Sequence, residues 1–232
     1  SFPFCIDWLP DGRLLVVSGR EGRLLHQEPD GSLAVHADLS GLSSYPWNEI
    51  DVDSHGNIYL NGIGFDFPAG AFSPGIIALV APDGAVRQVA DGLAFPNGMV
   101  VTPDNRRLIA AESYASRLTA FDIAADGSLS NRRVWAAVGN DHPDGICLDS
   151  DGAIWYADVG TGRCVRIREG GEVLQSIELD RGCFACALGG ENGRTLFMLA
   201  ASFDPATGSV APQTGQVVIA EAPAAGAGWS ES

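Results

Sequence analysis

Three short phrases place a hard oxygen donor one or two residues after a proline: Tyr45-Pro46-Trp47-Asn48-Glu49, Phe95-Pro96-Asn97-Gly98 and His142-Pro143-Asp144-Gly145. Two amide oxygens and one carboxylate form a ligand set for Ca²⁺, Mg²⁺ or Mn²⁺, and for Zn²⁺ when few ligands are present. A single Pro-Asn-Gly or Pro-Asp-Gly marks a turn and nothing more. Repeats also inherit similar turns, but recurrence at the same place in three successive repeats is what a ligand set requires. The proline fixes φ before the donor and the following Gly, where present, permits a bent backbone after it.

The elements that must position these residues are strands. One phrase recurs: a short apolar alternation, a polar turn ending in Gly or its equivalent, and another apolar strand. Its copies run from Ile6 to Val17, Ile50 to Leu60, Met99 to Ala110, Ile146 to Tyr156 and Cys186 to Met198. Their turns, at Asp11, His55, Asp104, Asp151 and Asn192, are 44, 49, 47 and 41 residues apart, the period of a four-stranded propeller blade. A second set of turns at Pro29-Asp30-Gly31, Pro82-Asp83-Gly84, Asp126-Gly127 and Gly170-Gly171 falls between them, giving four strands per period. A β-sandwich also shows recurring turns, but at shorter spacing and without a long period. No helical periodicity is sustained. The fold expected is an all-β propeller of about five blades, with residues 1–221 as one domain and 222–232, rich in Gly, Ala and Pro, as a tail without strand content. Ser1-Phe2-Pro3-Phe4-Cys5 has neither an initiator Met nor a basic segment, so it is expected to be neither a signal peptide nor a natural start, with a further blade preceding it.

The chain is 46% apolar and 19% charged over 232 residues, with a formal net charge of −15. That field attracts cations and repels nucleic acid and anionic membranes; no apolar run is long enough for a membrane-spanning helix. Five cysteines, one C-x-x-C (Cys183, Cys186) and no second pair point to free thiols in a reducing, cytoplasmic setting rather than to a zinc or redox motif.

Phe95-Pro96-Asn97-Gly98-Met99 through Pro103-Asp104, then Leu118-Thr119-Ala120-Phe121-Asp122 with Gly127-Ser128-Leu129-Ser130-Asn131-Arg132-Arg133, then Pro143-Asp144-Gly145-Ile146, resembles the senescence-marker-protein/gluconolactonase (regucalcin-like) family. The resemblance implies a six-bladed propeller with one divalent cation in its central channel, held by a Glu, an Asn and an Asp, with a further Asn beside the metal and substrate. Asn97 and Asp144 match the ligating Asn and Asp, and Asn48 matches the additional Asn. The family's Glu-x-Pro-x-Trp-like motif does not occur here, and its Glu is expected before Ser1. Glu49 stands beside Asn48, but strand alternation points it the other way, which makes it a poor substitute. Pro46 occupies the place of an Arg found in the family's sugar-lactone hydrolases, and Trp47 and Phe95 favour a more apolar ligand.

The function expected is a metal-dependent hydrolase opening a lactone or similar small ester, with one divalent cation (Ca, Zn, Mn or Mg) as cofactor and a small molecule as partner. Asp144 is the candidate general base as well as a ligand. Asn48, Trp47, Phe95, His142, Arg181 and Cys183 are the candidate substrate-binding residues. His142 either binds substrate and shuttles a proton or faces solvent; Arg181 either contacts substrate or is solvated; Cys183 and Phe184 either line the channel or pack in the core. The alternatives are a non-catalytic binding or scaffold propeller and a non-hydrolytic enzyme of the strictosidine-synthase-like type.

Overall fold

The computed structural model describes residues 5–204 and 206–228. Alternating apolar residues bounded by turn residues produce antiparallel sheets in a five-blade β-propeller arrangement. The first sheet runs in the order β1 (Ile6–Trp8), β2 (Leu14–Ser18), β3 (Arg23–Gln27), β4 (Leu33–Asp38). The second is β5 (Trp47–Val52), β6 (Ile58–Gly62), β7 (Gly75–Val80), β8 (Val86–Leu93), and the third β9 (Pro96–Val101), β10 (Arg107–Glu112), β11 (Arg117–Ile123), β12 (Leu129–Ala137). The fourth is β13 (Pro143–Leu148), β14 (Ile154–Asp158), β15 (Arg163–Ile167), β16 (Val173–Glu178). Among the described residues the fifth has three strands, β17 (Gly182–Gly189), β18 (Thr195–Ala201) and β21 (Gln216–Glu221). A separate hairpin of β19 (Phe203–Asp204) and β20 (Ser209–Val210) is inserted between the last two.

The repeated turn has one stereochemical demand. Its last residue takes a left-handed φ in every repeat: Gly12 (84°), Gly56 (81°), Asn105 (54°), Gly152 (77°) and Gly193 (69°). Asn105 is thus the equivalent of Gly in the third repeat, Asn being among the few side chains that tolerate this region.

The chain divides into two compact units. One contains the chain to Pro96 with Asp104–Leu108 and Phe121–Asn131; the other contains Asn97–Pro103, Ile109–Ala120 and the chain from Arg132. Each has its own core. In the first, Leu15, Val17 and Leu24 pack with Trp47, Ile50, Leu60 and Val80. In the second, one cluster gathers Ile109, Leu118, Trp135, Ile154 and Tyr156, and another gathers Trp155, Cys164, Cys183, Cys186, Leu196 and Met198. Glu112, fully buried, is neutralised by Arg117 (2.9 Å) and Arg132 (3.1 Å) and accepts the Thr119 hydroxyl, the pairing without which such burial is prohibitive.

The segment expected to be a tail is docked as far as it is described. Ala222 and Ala224 are buried, Ser150 donates its N–H to the Ala225 carbonyl (2.8 Å) and Ala227 donates to Leu148 (2.9 Å). Arg194 donates to the Ala222 and Pro223 carbonyls. Main-chain hydrogen bonds and the small side chains of Ala222 and Ala227, packed against core clusters, make these contacts together. All five cysteines are free thiols. Among the described residues no helix is long and apolar enough to cross a membrane.

In the first unit, burial raises the Asp7 carboxyl from 3.8 to about 6, against the lowering effect of backbone N–H groups at Trp8 and Val52. Burial likewise raises Glu49, hydrogen-bonded to Cys5, to about 7. A carboxyl raised on folding stabilises the native state fully below its unfolded value and loses that contribution as pH climbs through the folded value. Asp7→Asn is therefore expected to flatten the decline in urea midpoint between pH 3.8 and about 6; a mutant profile parallel to that of the parent would refute this.

Candidate metal and substrate site

The sequence alignment of the repeats places Asn48, Asn97, Asp144 and Phe184 at one common position near the start of strands β5, β9, β13 and β17. In three of these strands the ladder to the next strand shifts register there: between Trp47 and Ile50, between Pro143 and Ile146, and between Cys183 and Ala185. Such bulges bend a strand and re-aim a side chain.

The glycines after Asn97 and Asp144 serve clearance rather than a special φ. Neither has a positive φ. A Cβ on Gly98 would lie 2.5 Å from the Ile146 nitrogen and 2.6 Å from the Asp144 carbonyl oxygen, and one on Gly145 would lie 2.8 Å from Ala185 Cα. Strands β9, β13 and β17 therefore approach backbone to backbone, which only Gly allows.

Within the second unit, Ser113 links Asn97 to the residue preceding Asp144. Ser113 Oγ donates to the Pro143 carbonyl (2.7 Å), so it must accept from Asn97, whose Nδ2 lies 3.3 Å away. The amide orientation of Asn97 follows from this: its nitrogen faces Ser113 and its Oδ1, the hard donor, is directed away. Asn97 is buried and Asp144 half-buried. Asn48 belongs to the first unit, where its Nδ2 donates to the Pro96 carbonyl (3.3 Å). A proline carbonyl only accepts, so this amide too has its oxygen at the other end.

Ser113 also orients His142. Its backbone carbonyl lies 3.0 Å from His142 Nδ1, which must therefore carry a proton, leaving Nε2 as the basic nitrogen of the neutral ring. The His142 backbone N–H donates to Asp158 Oδ1 (2.9 Å). Asp158 is fully buried and takes in addition the N–H groups of Gly160 and Thr161 and the Thr161 hydroxyl. One residue earlier, Asp141 accepts from the Tyr156 hydroxyl (2.6 Å) and from Arg163; burial first, and this hydrogen bond second, push the Tyr156 phenol above its ordinary value.

Trp47 and Cys183, both expected to contact a ligand, have no exposed surface. Trp47 fills the first unit's core, its indole nitrogen without a hydrogen-bond partner among the described residues. Cys183 packs with Cys164, Trp155 and Leu196. The alternation that set them beside a donor also turns them inward. Arg181 is committed elsewhere, with both sides of its guanidinium on the Asp180 carboxylate (2.7 Å) and Nη1 on the Thr214 carbonyl (2.8 Å). Phe95 is half-buried at φ 58° and meets Phe65 and Phe67 edge-on at 5.7 and 5.2 Å. Phe65 also meets Phe72, which is half exposed. These partners come from the long Gly-, Phe- and Pro-containing connection between β6 and β7, a signal present in the sequence. Ser113 carried no such signal, since a lone Ser after a strand has many uses.

Within the second unit, the Asn97 amide oxygen and the Asp144 carboxylate are donors of the kind a hard divalent cation takes. Among the described residues no group of three or more His, Cys, Asp or Glu is placed to hold a metal, so any site here rests on amide oxygens together with Asp144.

A family model described as "SMP-30/Gluconolactonase/LRE-like region" matches residues 4–202. Regucalcin of Danio rerio is 28% identical over 175 residues, which are 73% of this chain and 59% of that protein; the chain thus spans little more than half the length of this curated relative. A solved luciferin-regenerating enzyme superposes with a TM-score of 0.80 at 21% identity, covering 97% of this chain and 80% of that one. A calcium-binding regucalcin from Agrobacterium tumefaciens gives 0.77 at 23%, covering 98% and 79%. These structural likenesses establish the propeller fold.

Gly98→Ala and Gly145→Ala are each expected to destabilise the protein by about 1–3 kcal/mol, because the atoms nearest each added Cβ are backbone or adjoining Cβ atoms that cannot rotate away. Chemical denaturation checks this, and an unchanged midpoint in both would disprove the close approach.

Proposed function

The chain belongs to the SMP-30/gluconolactonase/LRE-like family, and from that premise we propose that it is a divalent-metal-dependent hydrolase opening a lactone or similar small cyclic ester. The observation that carries this reading is the hydrogen-bonded relay from Asn97 through Ser113 to the Pro143 carbonyl, which fixes the amide with its nitrogen on Ser113, beside the strand that bears Asp144. A scaffold needs no such fixed polarity. The regucalcin of A. tumefaciens is calcium-binding, and calcium is accordingly the first cation to test, with Zn, Mn and Mg after it.

Asn97 and Asp144 would hold the cation through their side-chain oxygens, Asn48 being the further Asn that the family resemblance implies. Bound there, it supplies Lewis acidity to an ester carbonyl. Asp144 accepts a proton from the attacking water on its carboxylate oxygen, the task of a general base. His142 offers Nε2 as acceptor, its Nδ1–H being held by the Ser113 carbonyl, and so can bind a substrate hydroxyl or pass a proton on. The cluster of Phe65, Phe67, Phe72 and Phe95 favours an apolar substituent on the substrate. Free thiols throughout suit work in the cytoplasm.

The test is a panel of lactones and small esters, apolar as well as sugar-derived, assayed before and after EDTA treatment and with metal add-back. Asp144→Ala is expected to lower kcat/KM by at least about 100-fold, and Ser113→Ala by about 10-fold with weaker cation binding in calorimetry, the scale typical of groups that orient a ligand. Turnover indifferent to EDTA and to Asp144→Ala would overturn the metal-hydrolase reading in favour of a non-hydrolytic enzyme. Cation binding without turnover of any ester would make the protein a binding propeller.

A further inference from the structure

Four of the five cysteines lie in the second unit, and two of them face each other across neighbouring sheets. Cys147 on β13 and Cys186 on β17 have their sulfurs 3.8 Å apart. They differ in access: Cys147 is half-buried, whereas Cys164, Cys183 and Cys186 are buried. The two strands already touch along this stretch, since the Cβ position of Gly145 lies 2.8 Å from Ala185 Cα. A disulfide requires the sulfurs to close to about 2.05 Å, a travel of roughly 2 Å from their 3.8 Å separation.

We propose that Cys147 and Cys186 form an oxidation site: a two-electron oxidant such as a hydroperoxide joins them in a disulfide between the fourth and fifth sheets, and this weakens the Asp144 site. The Cys147 thiolate, the reachable one, attacks the peroxide oxygen. The O–O bond breaks, hydroxide leaves, and Cys147 becomes a sulfenic acid. The Cys186 thiol, its proton passing to water, then attacks the Cys147 sulfur and expels hydroxide. Two thiols and one hydrogen peroxide give one disulfide and two waters. Cys164 and Cys183 have no comparable access.

The link to the candidate site runs through Cys186. Its S–H points at the carbonyl oxygens of Trp155 (3.4 Å) and Gly145 (3.6 Å). Gly145 directly follows Asp144 and sits within the register shift that aims it. A disulfide has no S–H, so this support of the bulge is lost on oxidation. This consequence rests on the hydrolase reading; the formation of the bond does not.

The full chain, oxidised with hydrogen peroxide and then alkylated, is expected to retain three reactive cysteines and one disulfide per chain. Peptide mapping should place that disulfide at Cys147–Cys186, with reversal by dithiothreitol and absence in Cys147→Ser and Cys186→Ser. Five alkylated cysteines after oxidation, or a bond mapped to Cys164–Cys183, would overturn the proposal. Calcium titration of the oxidised and reduced forms reads the coupling: affinity should fall several-fold on oxidation and recover on reduction, in Cys147→Ser not at all. A disulfide that forms with affinity unchanged refutes the coupling; if the reduced protein binds no calcium, zinc, manganese or magnesium, the hydrolase reading fails and the mapped bond alone decides the oxidation site.

Discussion

Two hydrogen atoms stand where side chains would otherwise be. At Gly98 and Gly145 the backbones of β9, β13 and β17 come so close that a methyl group would fall inside the contact distance of a main-chain atom. Everything local to the second unit's candidate site depends on that approach. It brings Ser113 within reach of both the Asn97 side chain and the Pro143 carbonyl. It also sets the Cys186 thiol against the Gly145 carbonyl. A larger residue at either position would separate the strands and dissolve these contacts together, because protein interiors repack rather than stretch.

Ser113 concentrates three orienting roles in one residue. Its hydroxyl accepts from Asn97 and donates to Pro143, while its carbonyl holds the His142 ring. The strand end that precedes it carries a different load: buried Glu112 absorbs the charges of Arg117 and Arg132. Asp158, at the corresponding end of β14, instead gathers backbone N–H groups of the following turn and of His142. The same point in successive repeats has thus been put to two uses, an ion-pair anchor and a loop anchor, by a change of one acidic side chain and its neighbours.

The repeat architecture was legible because a turn with a left-handed residue and a two-residue alternation are demands of the backbone itself, and Asp11-Gly12 or Asp151-Gly152 answer them locally. The proline-led phrases were legible for a related reason, although the glycines in them proved to serve clearance. What escaped was everything set by distant partners. The packing of Trp47 and Cys183 is an example: each side chain lies in a core cluster, with partners distant in sequence. The third strand of the fifth sheet is β21, reached only after the β19–β20 hairpin. Residues 222–228 lack strand character yet dock through main-chain hydrogen bonds, for which small side chains are the enabling condition rather than evidence of looseness.

The relay from Asn97 has a sense of direction. It ends on a proline carbonyl, and the Ser113 hydroxyl hydrogen is spent on that carbonyl, so the chain of dipoles cannot reverse without breaking a bond. In the proposed site the negative end of the Asn97 amide would face the cation, and an inhibitor bearing a bare carboxylate or phosphate would need that cation as intermediary. Ligand discovery against this protein should accordingly run anionic compounds both with and without added metal.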